Sequence, residues 1–185
     1  MDRESFEALY QSLESSLYNV IYRWVWDEGE AMDIVQEAFV RLWTARARVE
    51  PAGAKAYVFR VGLNLATDRH RASKWRRWVG LEESQVQASW ALQGAQPETE
   101  LLNDEGQRLV REGVEKLPLK IRKVVVLARF AEMSYEEIGQ LLGIPSGTVG
   151  SRYHKGVALL RTFLDSRHGQ WRKVSRIDKR ERGVT

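Results

Sequence analysis

The chain has 185 residues, no cysteine, 43% hydrophobic and 29% charged residues, and a formal charge of +4. That length holds one ordinary domain or two small ones, the balance is that of a globular chain, and a disulfide framework or thiolate metal site is excluded. The opening Met1-Asp2-Arg3-Glu4-Ser5 lacks the basic start and apolar core of a signal peptide, and no apolar run approaches the roughly 20 residues of a membrane helix, so a cytoplasmic protein without membrane insertion is expected.

Phe6, Leu9, Tyr10, Leu13, Leu17, Val20, Ile21 and Trp24 recur at three- and four-residue steps, which predicts an amphipathic helix over 5–25. Asp27-Glu28-Gly29 is read as its break. A second helix, 30–46, places Ile34, Val35, Ala38, Leu42 and Trp43 inward. Pro51 and Gly53 separate it from a third, 54–77, with Tyr57, Val58, Val61, Leu65 and Ala66 inward. Three helices with short joints can close a small bundle.

Residues 80–100 lose periodicity and gather Gly80, Gly94, Pro97 and acids, the pattern of a linker. Periodicity returns with Leu101, Leu102, Leu109, Val110, Val114 and Leu117, and Pro118 is placed to open the next helix. Val124-Val125-Val126 favours a strand locally. Ile121, Val124, Val125 and Ala128 nevertheless share a helix face, and no partner strand is evident, so a helix is predicted.

The sharpest local signal runs from Ser134 to Val149. Ser134 and Glu137 have the spacing of a capping box, and Ile138, Leu141 and Leu142 give a short helix its apolar edge. Gly143 can take the left-handed conformation that ends it, Pro145 prevents its continuation, and Ser146 is placed to cap a second helix over 147–164. Val149, Tyr153, Val157, Leu160 and Leu164 are expected to hold that helix. A short helix, a glycine turn and a longer helix form the helix-turn-helix arrangement that reads DNA. Thr148, Ser151, Arg152, His154 and Lys155 then lie on the exposed side near the start of the second helix, where they suit base edges and phosphates.

Charge is unevenly placed. Residues 1–43 carry 3 basic and 9 acidic side chains, 44–79 carry 9 and 2, 80–105 carry none and 6, and 106–185 carry 17 and 8. Two basic blocks parted by an acidic stretch suggest two surfaces that face a polyanion. In the second helix Asp33, Gln36, Glu37 and Arg41 fall opposite the core stripe, a face that would repel DNA and would suit a basic protein partner or solvent. The third helix ends in a cationic cluster with hydrogen-bonding side chains: Asn64, Asp68, Arg69, Arg71, Lys74, Arg76 and Arg77. Trp75 and Trp78 offer stacking planes, or packing under the linker.

Three stretches together resemble the extracytoplasmic-function (ECF) class of RNA polymerase sigma factors. Asp33-Ile-Val-Gln-Glu-Ala-Phe-Val-Arg-Leu-Trp43 resembles that family's polymerase-clamp-binding helix. Ala56-Tyr-Val-Phe-Arg-Val-Gly-Leu-Asn-Leu-Ala-Thr-Asp-Arg69 resembles the segment that opens the minus-ten element, and Leu117–Arg122 through Ser134–Tyr153 resembles the domain that reads the minus-thirty-five element. The resemblance implies an all-α fold of two small helical domains joined by an acidic linker. Its segments are 1–79 for polymerase binding and the minus-ten element, 80–105 for the acidic linker and the start of the next helix, and 106–165 for the helix-turn-helix; the basic tail over 166–185 lies beyond the resemblance and is expected to be disordered. The resemblance implies core RNA polymerase as partner of Asp33, Gln36, Glu37 and Arg41, promoter DNA as partner of both basic surfaces, and an inhibitory anti-sigma factor. Asn64 would lie near a captured base.

The chain departs from the family pattern in three places. Gly150 replaces a lysine or arginine, Gly139 replaces an alanine, and Phe130-Ala131-Glu132-Met133 replaces a glycine-containing lead-in. Each helical glycine is expected to cost about 1 kcal/mol relative to alanine. A competing reading is a stand-alone helix-turn-helix regulator that does not bind polymerase. An enzyme such as a nuclease is disfavoured, because His70, His154 and His168 have no metal-ligand spacing and no P-loop or nucleophile motif is present. No cofactor or metal is expected.

Overall fold

The computed structural model describes residues 1–79 and 97–181, with side chains placed for 1–72 and 106–167; residues 80–96, within the stretch read from sequence as a linker, and 182–185 lie outside the described residues. Among the described residues every regular element is helical. These are α1 (Arg3–Val25), α2 (Glu28–Ala45), a 3-10 turn (Pro51–Gly53), α3 (Ala54–Val79), α4 (Pro97–Lys116), α5 (Leu119–Phe130), α6 (Tyr135–Leu142) and α7 (Ser146–Glu181). They gather into two compact units. One holds α1–α3 with the stretch Val126–Gly150, and the other holds α4, α5 as far as Val125, and α7 from Ser151.

In the first unit, α1 starts where the Asp2 carboxylate accepts from the Ser5 amide at 2.8 Å. It ends at Trp26, which takes the left-handed conformation (φ 59°) with its amide donating to the Tyr22 carbonyl. Asp27 then caps α2 by accepting from the Glu30 amide at 2.7 Å. The break read at 27–29 is therefore earlier: Trp26 turns the chain, and Gly29 is already helical.

Leu13, Leu17, Val20, Ile21 and Trp24 of α1 meet Ala31, Ile34, Val35, Ala38, Phe39 and Leu42 of α2 in a buried core. Each fully buried large aliphatic side chain contributes about 1.5–3 kcal/mol, which none of these helices could gain alone. Phe6 and Tyr10 extend the contact, with ring centroids 4.9 Å from Trp43 and 4.6 Å from Phe39.

The inward face of α3 is rotated from the predicted one. Ala54, Val58, Phe59, Leu63 and Ala66 are buried, whereas Tyr57, Val61 and Leu65 are half-buried. Apolar residues nearly encircle this part of α3, so periodicity alone does not choose the side. Close approach of α1 does. A Cβ on Gly62 would lie 3.2 Å from both Leu17 Cδ1 and Ile21 Cδ1.

In the second unit Pro118 precedes α5, its carbonyl accepting from the Ile121 and Arg122 amides at 2.8 and 2.9 Å. Leu117, Ile121 and Val125 form the core, with Tyr153 and Leu160 packed on it. Val157, expected to help hold α7, is 43% exposed, and the buried residue is its neighbour Gly156. Glu112 ties α4 to α7, lying 2.8 Å from Lys116 Nζ and 3.0 Å from Arg167 Nη2. Arg122 is only 2% exposed, and burial pulls its guanidinium down to about 10, against the raising effect of the Glu115 charge. It remains a cation at neutral pH.

The tail also differs from expectation. Residues 166–181, read as a disordered extension, continue α7 to Glu181. The stretch after Pro145 contains no proline, and residues 166–181 carry four arginines and two lysines, which tolerate helix well.

Candidate functional site

The turn between α6 and α7 is held by backbone chemistry that its residues specify. The Glu137 amide donates to Ser134 Oγ at 3.2 Å, and the Ser134 amide donates to Glu137 Oε2 at 2.7 Å, so the capping box is closed in both directions. Gly143 ends α6 in the left-handed conformation at φ 66°. The Pro145 carbonyl accepts from the Thr148 and Val149 amides at 2.9 and 3.1 Å, so Pro145 takes the capping position expected of Ser146, which is already helical. Ile138, Leu141 and Val149 are buried beneath the turn.

Gly139 has a reason that its helix propensity hides. The Ile144 amide donates to the Gly139 carbonyl at 2.9 Å, and a Cβ on Gly139 would lie 2.6 Å from the Ile144 carbonyl oxygen. The backbone folds back too closely for alanine here, so the glycine permits the turn rather than merely weakening the helix. Gly150 differs: a Cβ there would make an ordinary 3.5 Å contact with the Tyr135 ring. In the lead-in without glycine, Glu132 adopts φ 50°, and its carbonyl accepts from Lys55 Nζ at 3.1 Å.

The Glu137 carboxyl is held below the usual glutamate range chiefly by the Ser134 amide, with burial opposing it and the Lys55 charge adding to it. A lowered folded-state pKa stabilises the fold above the unfolded value, and that contribution is lost as pH falls through the folded one. Glu137→Gln should remove this part of the acid sensitivity of α6. Carboxyl NMR titration of the wild type should find Glu137 titrating below an ordinary glutamate; a normal or raised midpoint would contradict the capping geometry.

Three outward faces carry the sequence-predicted residues. On α7, Ser151, His154 and Lys155 are exposed, and Thr148 and Arg152 are half-buried. On α2, Asp33, Gln36 and Arg41 are exposed and Glu37 is half-buried, with Arg41 Nε donating to Glu37 Oε1 at 2.7 Å. On α3, Asn64, Asp68 and Arg71 form an exposed stripe. Arg69 is turned from it, with Nη1 3.9 Å from Glu30 Oε1 on α2. Lys74, Arg76 and Arg77, like Trp75 and Trp78, belong to α3 outside the residues whose side chains are described.

Sequence reasoning missed Arg60. It is exposed four residues before Asn64 and eleven before Arg71, on the same stripe. Its spacing was available, but Arg60 stands apart from the dense cationic cluster that drew attention. Among the described residues no group of three His, Cys, Asp or Glu side chains could hold a metal, and no helix is long and apolar enough to cross a membrane.

Most of the N-terminal helices, and the turn, are covered by two family matches, Sigma-70 region 2 over residues 9–76 and Sigma-70 region 4 over residues 107–160. The chain is 31% identical to the ECF RNA polymerase sigma factor SigW of Bacillus subtilis, across 88% of this chain and 90% of that one. It is 33% identical to the RNA polymerase sigma-E factor of Streptomyces avermitilis, across 96% and 94%. The chain belongs to the ECF family of RNA polymerase sigma factors.

Solved structures carry the same fold. CnrH in complex with the cytosolic domain of CnrY matches this ECF chain with a TM-score of 0.65 and 26% identity, over 89% of this chain and 90% of that one. The sigma factor RpoE in complex with the anti-sigma factor NepR from Bartonella quintana matches with a TM-score of 0.66 at 19% identity, over 88% and 98%. At that identity the second likeness speaks for the fold alone.

Proposed function

We propose that this ECF sigma factor binds core RNA polymerase and directs it to promoters, with no bond made or broken by the chain itself. The observation that supports this best is the coexistence of an acidic face on α2, a basic and hydrogen-bonding stripe on α3, and an intact capped turn leading into a basic α7. Asp33, Gln36, Glu37 and Arg41 dock on polymerase. Asn64 and Arg71, with Lys74, Arg76 and Arg77, hold the opened minus-ten strand, and Arg60 extends that track along its phosphates, while Arg69, turned toward Glu30, braces α3 against α2.

The α6–turn–α7 segment acts as the helix-turn-helix. Its Thr148, Ser151, Arg152, His154 and Lys155 face the minus-thirty-five element in the major groove. The working division is a polymerase and minus-ten domain over 1–79, an acidic linker with the start of α4 over 80–105 and an upstream-reading domain over 106–165. Such a factor acts in the cytoplasm, and an anti-sigma factor is a further partner of this class.

Reconstituted transcription with core polymerase and genomic DNA tests this reading. Start sites should appear only when the protein is added, and promoter duplex should shift poorly with the protein alone. Efficient specific binding without polymerase would favour a stand-alone regulator. Arg152→Ala should cost about 1–3 kcal/mol of promoter affinity if it contacts a base, and Lys155→Ala should lower the salt slope by about 1 if it contacts phosphate. Core-enzyme binding should be unchanged in both variants, and its loss in pull-down would refute the division of labour.

A further inference from the structure

We propose that Val40 is the apolar anchor of the α2 face, inserted on docking into an apolar socket of core RNA polymerase whose rim is basic. This inference rests on the sigma-factor reading and adds to it the residue at the centre of the contact. Among the described residues of the first unit, the exposed large hydrophobic side chains are Met32, at 39%, and Val40, at 59%, and both lie on α2.

Val40 is placed centrally on the outward face. Ala31, Ile34, Val35, Ala38, Phe39 and Leu42 define the buried side of α2. Seven residues make nearly two turns, so Val40 lies about 20° around the helix axis from Asp33, with Gln36 and Glu37 on the turn between them. It therefore falls within the angular span of the polar side chains already assigned to polymerase, between Gln36 and Glu37 one turn before it and the exposed Thr44 one turn after, and Met32 lies at their edge.

Nothing in the fold rewards valine at this position. A β-branched side chain loses rotamer freedom in a helix, and at 59% exposure Val40 recovers little by burial. Alanine, glutamate or lysine would serve a solvent-facing helix better. An apolar centre inside a polar rim is instead the layout of a protein–protein contact.

The surrounding charge selects the occupant. Asp33 and Glu37 outweigh Arg41, which is itself engaged with Glu37 at 2.7 Å. Nucleic acid would be repelled, and a second copy of this chain would bring like charge against like. A basic protein surface with an apolar recess fits both features.

The test uses the full chain and purified core polymerase, with affinity and thermal melting measured for Val40→Ser, Val40→Leu and Asp33→Ala. Val40→Ser should bind roughly tenfold more weakly, equivalent to about 1.4 kcal/mol, while melting no lower than the wild type. Val40→Leu should bind within about threefold of the wild type, because an aliphatic group still fills the recess. If Val40→Ser binds normally while Asp33→Ala is weakened, the anchor is overturned and the sigma-factor reading stands. A lowered melting temperature for Val40→Ser, or a wild-type dimer that this variant dissociates, would also overturn it. Failure of the wild type to bind core polymerase overturns the reading on which the proposal rests, and the proposal with it.

Discussion

Gly156→Val should unfold the unit built from α4, α5 and α7 under conditions where the wild type is folded. A Cβ on Gly156 would sit inside the van der Waals radius of Val125 Cγ2 and 2.8 Å from Ile121 Cγ2. Both neighbours are β-branched, with stiff first torsions and core positions, so neither methyl can swing aside cheaply. Alanine alone should lose about 1–3 kcal/mol to overpacking. That outweighs the roughly 1 kcal/mol that alanine gains over glycine in an unstrained helix. Valine adds two methyl groups to the same contact and should lose at least about 3 kcal/mol. Urea unfolding monitored at Tyr153 should show this, together with loss of upstream-promoter binding. Stabilisation by alanine at this position would mean that α7 crosses α5 less closely than described.

Trp24→Ala should have a comparable effect on the bundle of α1, α2 and α3. Trp24 is fully buried, and it is the largest side chain in the core. Truncation leaves both a lost transfer contribution and a cavity, together about 3–5 kcal/mol. Small domains hold only about 5–15 kcal/mol in total, so this loss approaches global unfolding. Core-polymerase binding should fall with it, because the α2 face depends on the bundle for its rigidity. Trp24→Phe should be milder. A Trp24→Ala protein that melts within a few degrees of the wild type would show that the bundle closes over the gap.

The paired substitutions separate two functions that the sequence already kept apart. Acidic and basic blocks, the capping spacing of Ser134 and Glu137, and the Gly143–Pro145 turn were all legible from residues alone, because each is a local property of neighbouring side chains and backbone. The candidate site was legible to the same degree. Asp33, Gln36 and Arg41 could be placed outward by counting, and so could Ser151, His154 and Lys155. Arg60 could have been found by counting back from Asn64.

Other features depended on contacts distant in sequence. Val157 and Gly156 differ by one residue, yet only the approach of α5 decides that the glycine is covered and the valine is exposed. Phe59 and Leu63 rather than Val61 and Leu65 face inward because α1 closes on Gly62. Arg69 looks like any other cation of its cluster until Glu30 is brought beside it.

Composition and periodicity by themselves determined that the chain is helical, where most helices begin, and which stretches carry charge suited to nucleic acid or to protein. Those properties follow from hydrogen bonding and side-chain repeat within a few turns of one helix. Tertiary structure alone decided which glycines are indispensable, which side of α3 is covered, and that Val40 is left uncovered on α2. The reason is steric: close packing is set by the partner helix, whose position no local pattern encodes.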